Sequence, residues 1–186
     1  RRLVPRGAIS SEPDKSILVV MMEHNKEKAE TEFADLGFSV VTGNRYLGGF
    51  IGQEADQKTW VEAGASKWAY AVGDEMAKAA ERYPKTAYAG MHKSLQQEWQ
   101  FLQRVTEGVD DVFGDVEAAL RTKFLPALFG KGSLTDSQGQ LTCLPVKKAG
   151  LAIPNPTEMA GANWMASTVA CGHLISALRG KESLDW

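Results

Sequence analysis

The chain has 186 residues, 44% apolar and 24% charged, with a formal net charge of -2. That is enough length for one domain, or one with a small appendage, to bury a core without disulfide or metal staples, and a mean hydropathy of -0.25 excludes a membrane-embedded or disordered class. The slightly acidic balance excludes a global positive field, so any nucleic-acid partner must meet a local basic patch. Leu3-Val4-Pro5-Arg6-Gly7 reads as a thrombin site left by an expression vector, and residues 1–9 are set aside as a vector-derived tag. Residues 17–22, ILVVMM, form a short β-branched apolar run expected to be a strand buried on both faces in the middle of a sheet. Asn25 is a helix cap, Ala29, Phe33 and Leu36 recur at helical spacing, and Gly37 stops the helix. Phe38 to Val41 resumes an extended pattern, Thr42-Gly43-Asn44 is a turn, and Tyr46 to Gly52 is a further strand whose glycines imply a bulge or close backbone contact.

After Gln53 the periodicity becomes helical. Trp60, Gly64, Trp68, Ala71, Val72, Met76 and Ala79 make one stripe ending before Pro84, which opens a second helix with Ala87, Met91, Leu95, Leu102 and Val105. Val109, Val112, Val116, Leu120, Phe124 and Leu128 make a third, in which Pro126 kinks or ends the helix. Gly130 and Gly132 open a polar loop to about Gln140, and the prolines and glycine of residues 141–156 make that stretch extended or turn-like. Asn155-Pro156-Thr157-Glu158 starts a last helix, apolar nearly all round to Leu178 and expected to be buried at the centre. The fold class is therefore α+β and mainly helical: a small strand-helix-strand-strand layer over residues 10–52, then a bundle of about four long helices over 53–186.

Few side chains suggest chemistry. Cys143 and Cys171 stand apart, without metal-ligand spacing, and read as small buried apolar residues in a reducing, intracellular setting, with cytoplasm and nucleus undecided. Asp110, Asp111, Asp115 and Glu117 are the densest acids; they can complement a helix dipole, or Asp110, Asp111 and Asp115 could hold a divalent ion in a nuclease. His24, His92 and His173 are scattered, and the glycine-containing stretches lack phosphate-loop spacing.

Two signals in order carry a family resemblance. Lys15, in the turn before ILVV, and Tyr46-Leu47-Gly48 further on resemble the late palm of reverse transcriptases, where a lysine turn precedes a strand and a YLG-like strand leads to the thumb. Residues 124–130, FLPALFG, and 144–154, LPVKKAGLAIP, resemble the thumb side of retroelement reverse transcriptases, which carry a phrase such as LPVRxGGLGIP. The palm's catalytic aspartates, including a YxDD turn, are absent, so the two magnesium ions of the parent RNA-directed DNA polymerase have no ligands and no cofactor is expected in this chain. The resemblance implies a palm-and-thumb fragment that positions an RNA/DNA template-primer duplex without polymerising alone, alongside the remaining polymerase domains. It gives Lys15 a leaving-group role, Tyr46, Leu47 and Gly48 primer contact, and Lys85, Lys93, Lys147 and Lys148 phosphate contact. The other reading is a stand-alone helical protein-interaction module, possible as a homodimer, with no membrane partner in either case.

Overall fold

The computed structural model describes residues 16–181, so the vector-like run and Lys15 lie outside the described residues. Two compact units divide after Gln57. In the first, β1 (Ile17–Val19) pairs in parallel with β2 (Ser39–Val41), Ile17 opposite Ser39. The crossover is a 3-10 turn at Glu23–Asn25 and α1 (Lys26–Glu32). Asn25 sits at the start of α1, but its side chain makes no capping bond; Gly37, at φ 68°, ends the segment as expected. The expectation of a central, doubly buried strand fails: among the described residues β1 pairs only with β2, and Met21 and Met22 are each 59% exposed. A strand is buried on both faces only when layers cover both, and α1 has no buried residue to lay over it.

β3 (Gly43–Tyr46) and β4 (Gly49–Gly52) form a separate antiparallel hairpin. The expected turn at Thr42–Asn44 and continuous strand at Tyr46–Gly52 are both displaced: Leu47 and Gly48 make a two-residue turn with φ of 48° and 84°. Positive φ at both central residues is the type I′ geometry that matches strand twist, and glycine at the second place permits it. The close approach read from the glycines is present. Gly43 faces Gly52, and a Cβ on Gly52 would overlap the Gly43 Cα.

In the second unit helices run in long stretches broken by wider turns. α2 (Glu54–Tyr70) passes through a π-helical turn at Ala71–Met76 into α3 (Ala77–Arg82). Pro84 opens α4 (Pro84–Gly90), which continues through a π turn at Met91–Leu95 into α5 (Gln96–Val105). A 3-10 turn at Asp110–Phe113 leads to α6 (Gly114–Ala119), a π turn at Leu120–Phe124 and α7 (Leu125–Phe129). That last π turn ends two residues before Pro126, whose missing N–H cannot serve the usual i→i-4 ladder. The first and third π turns pack on each other, with Gly73 at the contact: a Cβ there would lie 3.0 Å from the Lys123 side chain.

The core gathers Val61, Val72, Met91, Trp99, Phe113, Val116, Leu120, Phe124 and Ile153, so the stripes of the second and third helical runs fall largely where expected. In α2 the buried line is Val61 and Ala65, one residue from the expected Trp60 and Gly64, and Val105 is 39% exposed. Trp68 packs edge-on to Trp99 and stacked on Phe113, both at 6.4 Å.

Two elements differ from expectation. The polar loop contains α8 (Asp136–Cys143), started by a capping box in which Thr135 accepts from the Gln138 N–H and Gln138 accepts from the Thr135 N–H. The last helix, α9 (Pro156–Leu178), begins at its Asn155 cap as expected but is not central: only Pro156 and Ala160 are buried, and Met165, Val169 and Leu178 are 62%, 68% and 79% exposed. Its N-terminal part is anchored on α5 by buried Gln103, which donates to the Pro156 carbonyl at 2.8 Å and accepts from Asn163 at 2.7 Å. No described helix is long and apolar enough to cross a membrane. Gln103→Leu removes both side-chain bonds and leaves the half-buried Asn163 amide without its protein partner, so it should lower unfolding free energy by about 1–2 kcal/mol in urea titration. Substitutions at ordinary surface positions stay within about 0.5 kcal/mol, so a loss no larger than that would show that Gln103 does not hold α9.

Candidate nucleic-acid interface

Residues 144–154 are neither helix nor strand for most of their length, so their backbone polar groups need other partners. The Thr142 carbonyl accepts from the N–H groups of Leu151 and Ile153, at 3.1 and 3.2 Å. The Leu144 carbonyl accepts from Ala152 at 2.9 Å. On the other side, Tyr88 donates its hydroxyl to the Leu151 carbonyl at 2.8 Å and Gln96 donates to the Ala152 carbonyl at 3.2 Å. The segment is thereby tied to α4 and α5, and Ile153 is driven into the core.

This path dictates backbone conformations. Ala149 and Ala152 have φ of 61° and 51°, the left-handed region where a Cβ is unfavourable. Gly150 lies so close to Leu144 that a Cβ would collide with the Leu144 carbonyl oxygen. Alanine thus occupies, at 149 and 152, two positions whose geometry suits glycine.

Lys147 and Lys148 sit in a 3-10 turn at Val146–Lys148, exposed, immediately before this left-handed stretch. Lys85 and Lys93 are exposed on the helical run that carries Tyr88, one before it and one after. The hydrogen bonds from Tyr88 and Gln96 bring the elements bearing all four lysines together along one seam. None of the four makes a salt bridge among the described residues, whereas Lys58 pairs with Asp111 at 2.8 Å, and Lys78 and Lys123 with Asp74, each at 3.8 Å. Tyr46, Leu47 and Gly48 belong to the first unit: Tyr46 closes β3 and Leu47 and Gly48 are the hairpin turn, not a strand, with Tyr46 60% and Leu47 81% exposed.

The remaining candidates do not assemble. Among the described residues no three His, Cys, Asp or Glu side chains gather as a metal site. Asp110 and Asp111 lie in the 3-10 turn and Asp115 in the first turn of α6. The hydrogen bond from Lys58 holds the exposed Asp111 carboxyl below its ordinary range. Cys171 is exposed and Cys143 half-buried, against the expectation of two buried thiols. His92 stacks on Tyr88 with ring centroids 5.7 Å apart and reads as packing. A cleft of about 550 Å³ between α6, α8 and the start of α9 is lined by Glu117, Arg121, Asp136 and Asn155. Within it Arg121 bridges Glu117 and Asp136 while Asn155 donates to Glu117, and Glu158 also faces the cleft.

Sequence reasoning missed Tyr88, Gln96 and Thr142, which hold the seam; their partners are backbone carbonyls and amides, which leave no pattern in residue types. The chain matches none of the family models, curated proteins or solved structures with which it was compared.

Ala149→Gly and Ala152→Gly each relieve a left-handed alanine at a cost of about 1–2 kcal/mol, offset in part by the roughly 0.5–1 kcal/mol of extra chain entropy glycine loses on folding. Each should raise stability by about 0.5–1 kcal/mol in thermal or urea unfolding. Gly150→Ala should lower it, because the added methyl meets backbone rather than a movable side chain. Equal stability of all three variants would show that the segment does not hold this path.

Proposed function

We propose that this chain is a late-palm and thumb-like piece of a reverse-transcriptase-like polymerase, which holds the template-primer duplex for an active site whose carboxylates lie outside it. The observation that carries the reading is the segment 144–154. Its left-handed backbone at 149 and 152 falls where the retroelement phrase LPVRxGGLGIP has glycine, the residue that adopts such backbone most readily, and this supports the reading. The exposed hairpin tip at Leu47 and the lysines of the seam are consistent supports: lysines free of carboxylate partners among the described residues offer their charge to phosphates without first breaking a salt bridge.

A second reading, a helical protein-interaction module, is favoured by α9. Its exposed Met165, Val169, Leu174 and Leu178 leave apolar surface of the kind protein partners cover.

Fluorescence anisotropy of a labelled RNA–DNA primer duplex, titrated at two salt concentrations, separates these readings. The polymerase reading expects micromolar binding that weakens steeply with salt, and a shallower salt slope, by about 1 per lost phosphate contact, for Lys147→Gln/Lys148→Gln. Absence of binding at low salt contradicts it and favours the interaction module.

A further inference from the structure

α7 ends at Phe129 on a left-handed glycine: Gly130 has φ 62°, its N–H donates to the Ala127 carbonyl at 3.2 Å, and the Lys131 N–H donates to the Pro126 carbonyl at 2.9 Å. These two bonds are a Schellman closure, which fixes Phe129 and Lys131 beside one another at the helix end. Phe129 nevertheless remains 45% exposed. It forms one wall of a groove of about 270 Å³, with Leu134, Leu141, Ala149 and Leu151 on the other sides and Lys131 at its edge.

The groove's far wall is rigid. Gly150 is packed against the Leu144 carbonyl, and Leu151 is bonded through its N–H to Thr142 and through its carbonyl to Tyr88. Lys147 and Lys148 lie in the turn directly before that wall. Among the described residues no carboxylate lines the groove. Asp136, at the start of α8, lines the neighbouring cleft and is engaged by Arg121. An exposed aromatic ring, an apolar floor and three lysines without salt bridges among the described residues suit a ligand with flat apolar rings and regularly spaced negative charge.

We infer that this groove accepts an unpaired base of a single-stranded nucleic-acid segment, the base stacking on Phe129 while Lys131, Lys147 and Lys148 meet the flanking phosphates. The inference rests on the nucleic-acid reading above and adds to it a single-strand subsite, since a base held inside a duplex stack presents no face to Phe129. An acidic apolar peptide shares the charge pattern, but it has no need of an aromatic ring beside the lysines.

The test compares a labelled single-stranded oligonucleotide with a blunt RNA–DNA duplex of equal length, by anisotropy at two salt concentrations. Phe129→Leu keeps the apolar bulk of a half-exposed residue while removing its π face, and far-UV circular dichroism should match that of the parent chain. The expected result is a roughly tenfold weaker single-strand affinity with an unchanged salt slope and unchanged duplex affinity. Lys147→Gln/Lys148→Gln should weaken both ligands and flatten both salt slopes. If the lysine variant behaves so while Phe129→Leu binds single strands like the parent, the groove assignment falls and the duplex reading stands. If the parent chain binds neither nucleic acid at low salt but takes up an acidic leucine-rich peptide, both fall.

Discussion

The irregular backbone of residues 150–153 packs polar groups against the helices that no helix or strand ladder satisfies, and its neighbours are arranged to meet that demand. Thr142 supplies a carbonyl to two N–H groups of the segment, and Tyr88 and Gln96 supply donors to two of its carbonyls. Each bond is worth only about 1 kcal/mol net, but an orphaned buried group costs about 1–3 kcal/mol, so the set favours one path strongly over near alternatives. Ile153 then fills the core, Asn155 caps α9, and Gln103 donates to the carbonyl of Pro156. Removing one link exposes the next.

The same constraint places the charges. The seam that ties residues 144–154 to α4 and α5 brings a lysine-bearing turn beside a lysine-bearing helical run, while Lys78, Arg121 and Lys123 on the neighbouring helices are held by Asp74, Glu117 and Asp136. Lys85, Lys93, Lys147 and Lys148 make no salt bridge among the described residues. The geometry costs strain at Ala149 and Ala152, and non-glycine residues kept in left-handed backbone are found where surrounding structure over-determines them.

Much of the fold was legible where the signal was periodic or tied to a special residue. Pro84, Gly37, Gly130 and the Asn155-Pro156 start act through backbone geometry that the residue type itself enforces, and the apolar stripes through Met91, Val116 and Phe124 follow from the helical repeat. What escaped depended on neighbours. ILVVMM looks like a central strand, yet burial is a property of the layers around it; α9 looks like a core helix, yet its C-terminal part has no described element laid over it. α8 had its capping box in Thr135 and Gln138, obscured by the glycines and serines around it. For the candidate interface, the lysines and the 144–154 phrase could be named from sequence. The attachment of that segment to α4 and α5 could not, because it runs through Tyr88 and Gln96 bonding to main-chain atoms.

The central claim is that residues 150–153 are held on one fixed path by the Thr142, Tyr88 and Gln96 bonds rather than moving as an open loop, and native-state hydrogen exchange reads it directly. The account predicts that the amides of Leu151 and Ile153, both bonded to the Thr142 carbonyl, are protected to the same degree as the core amides of α5. Exchange of those two amides at the rate of open loops would contradict it.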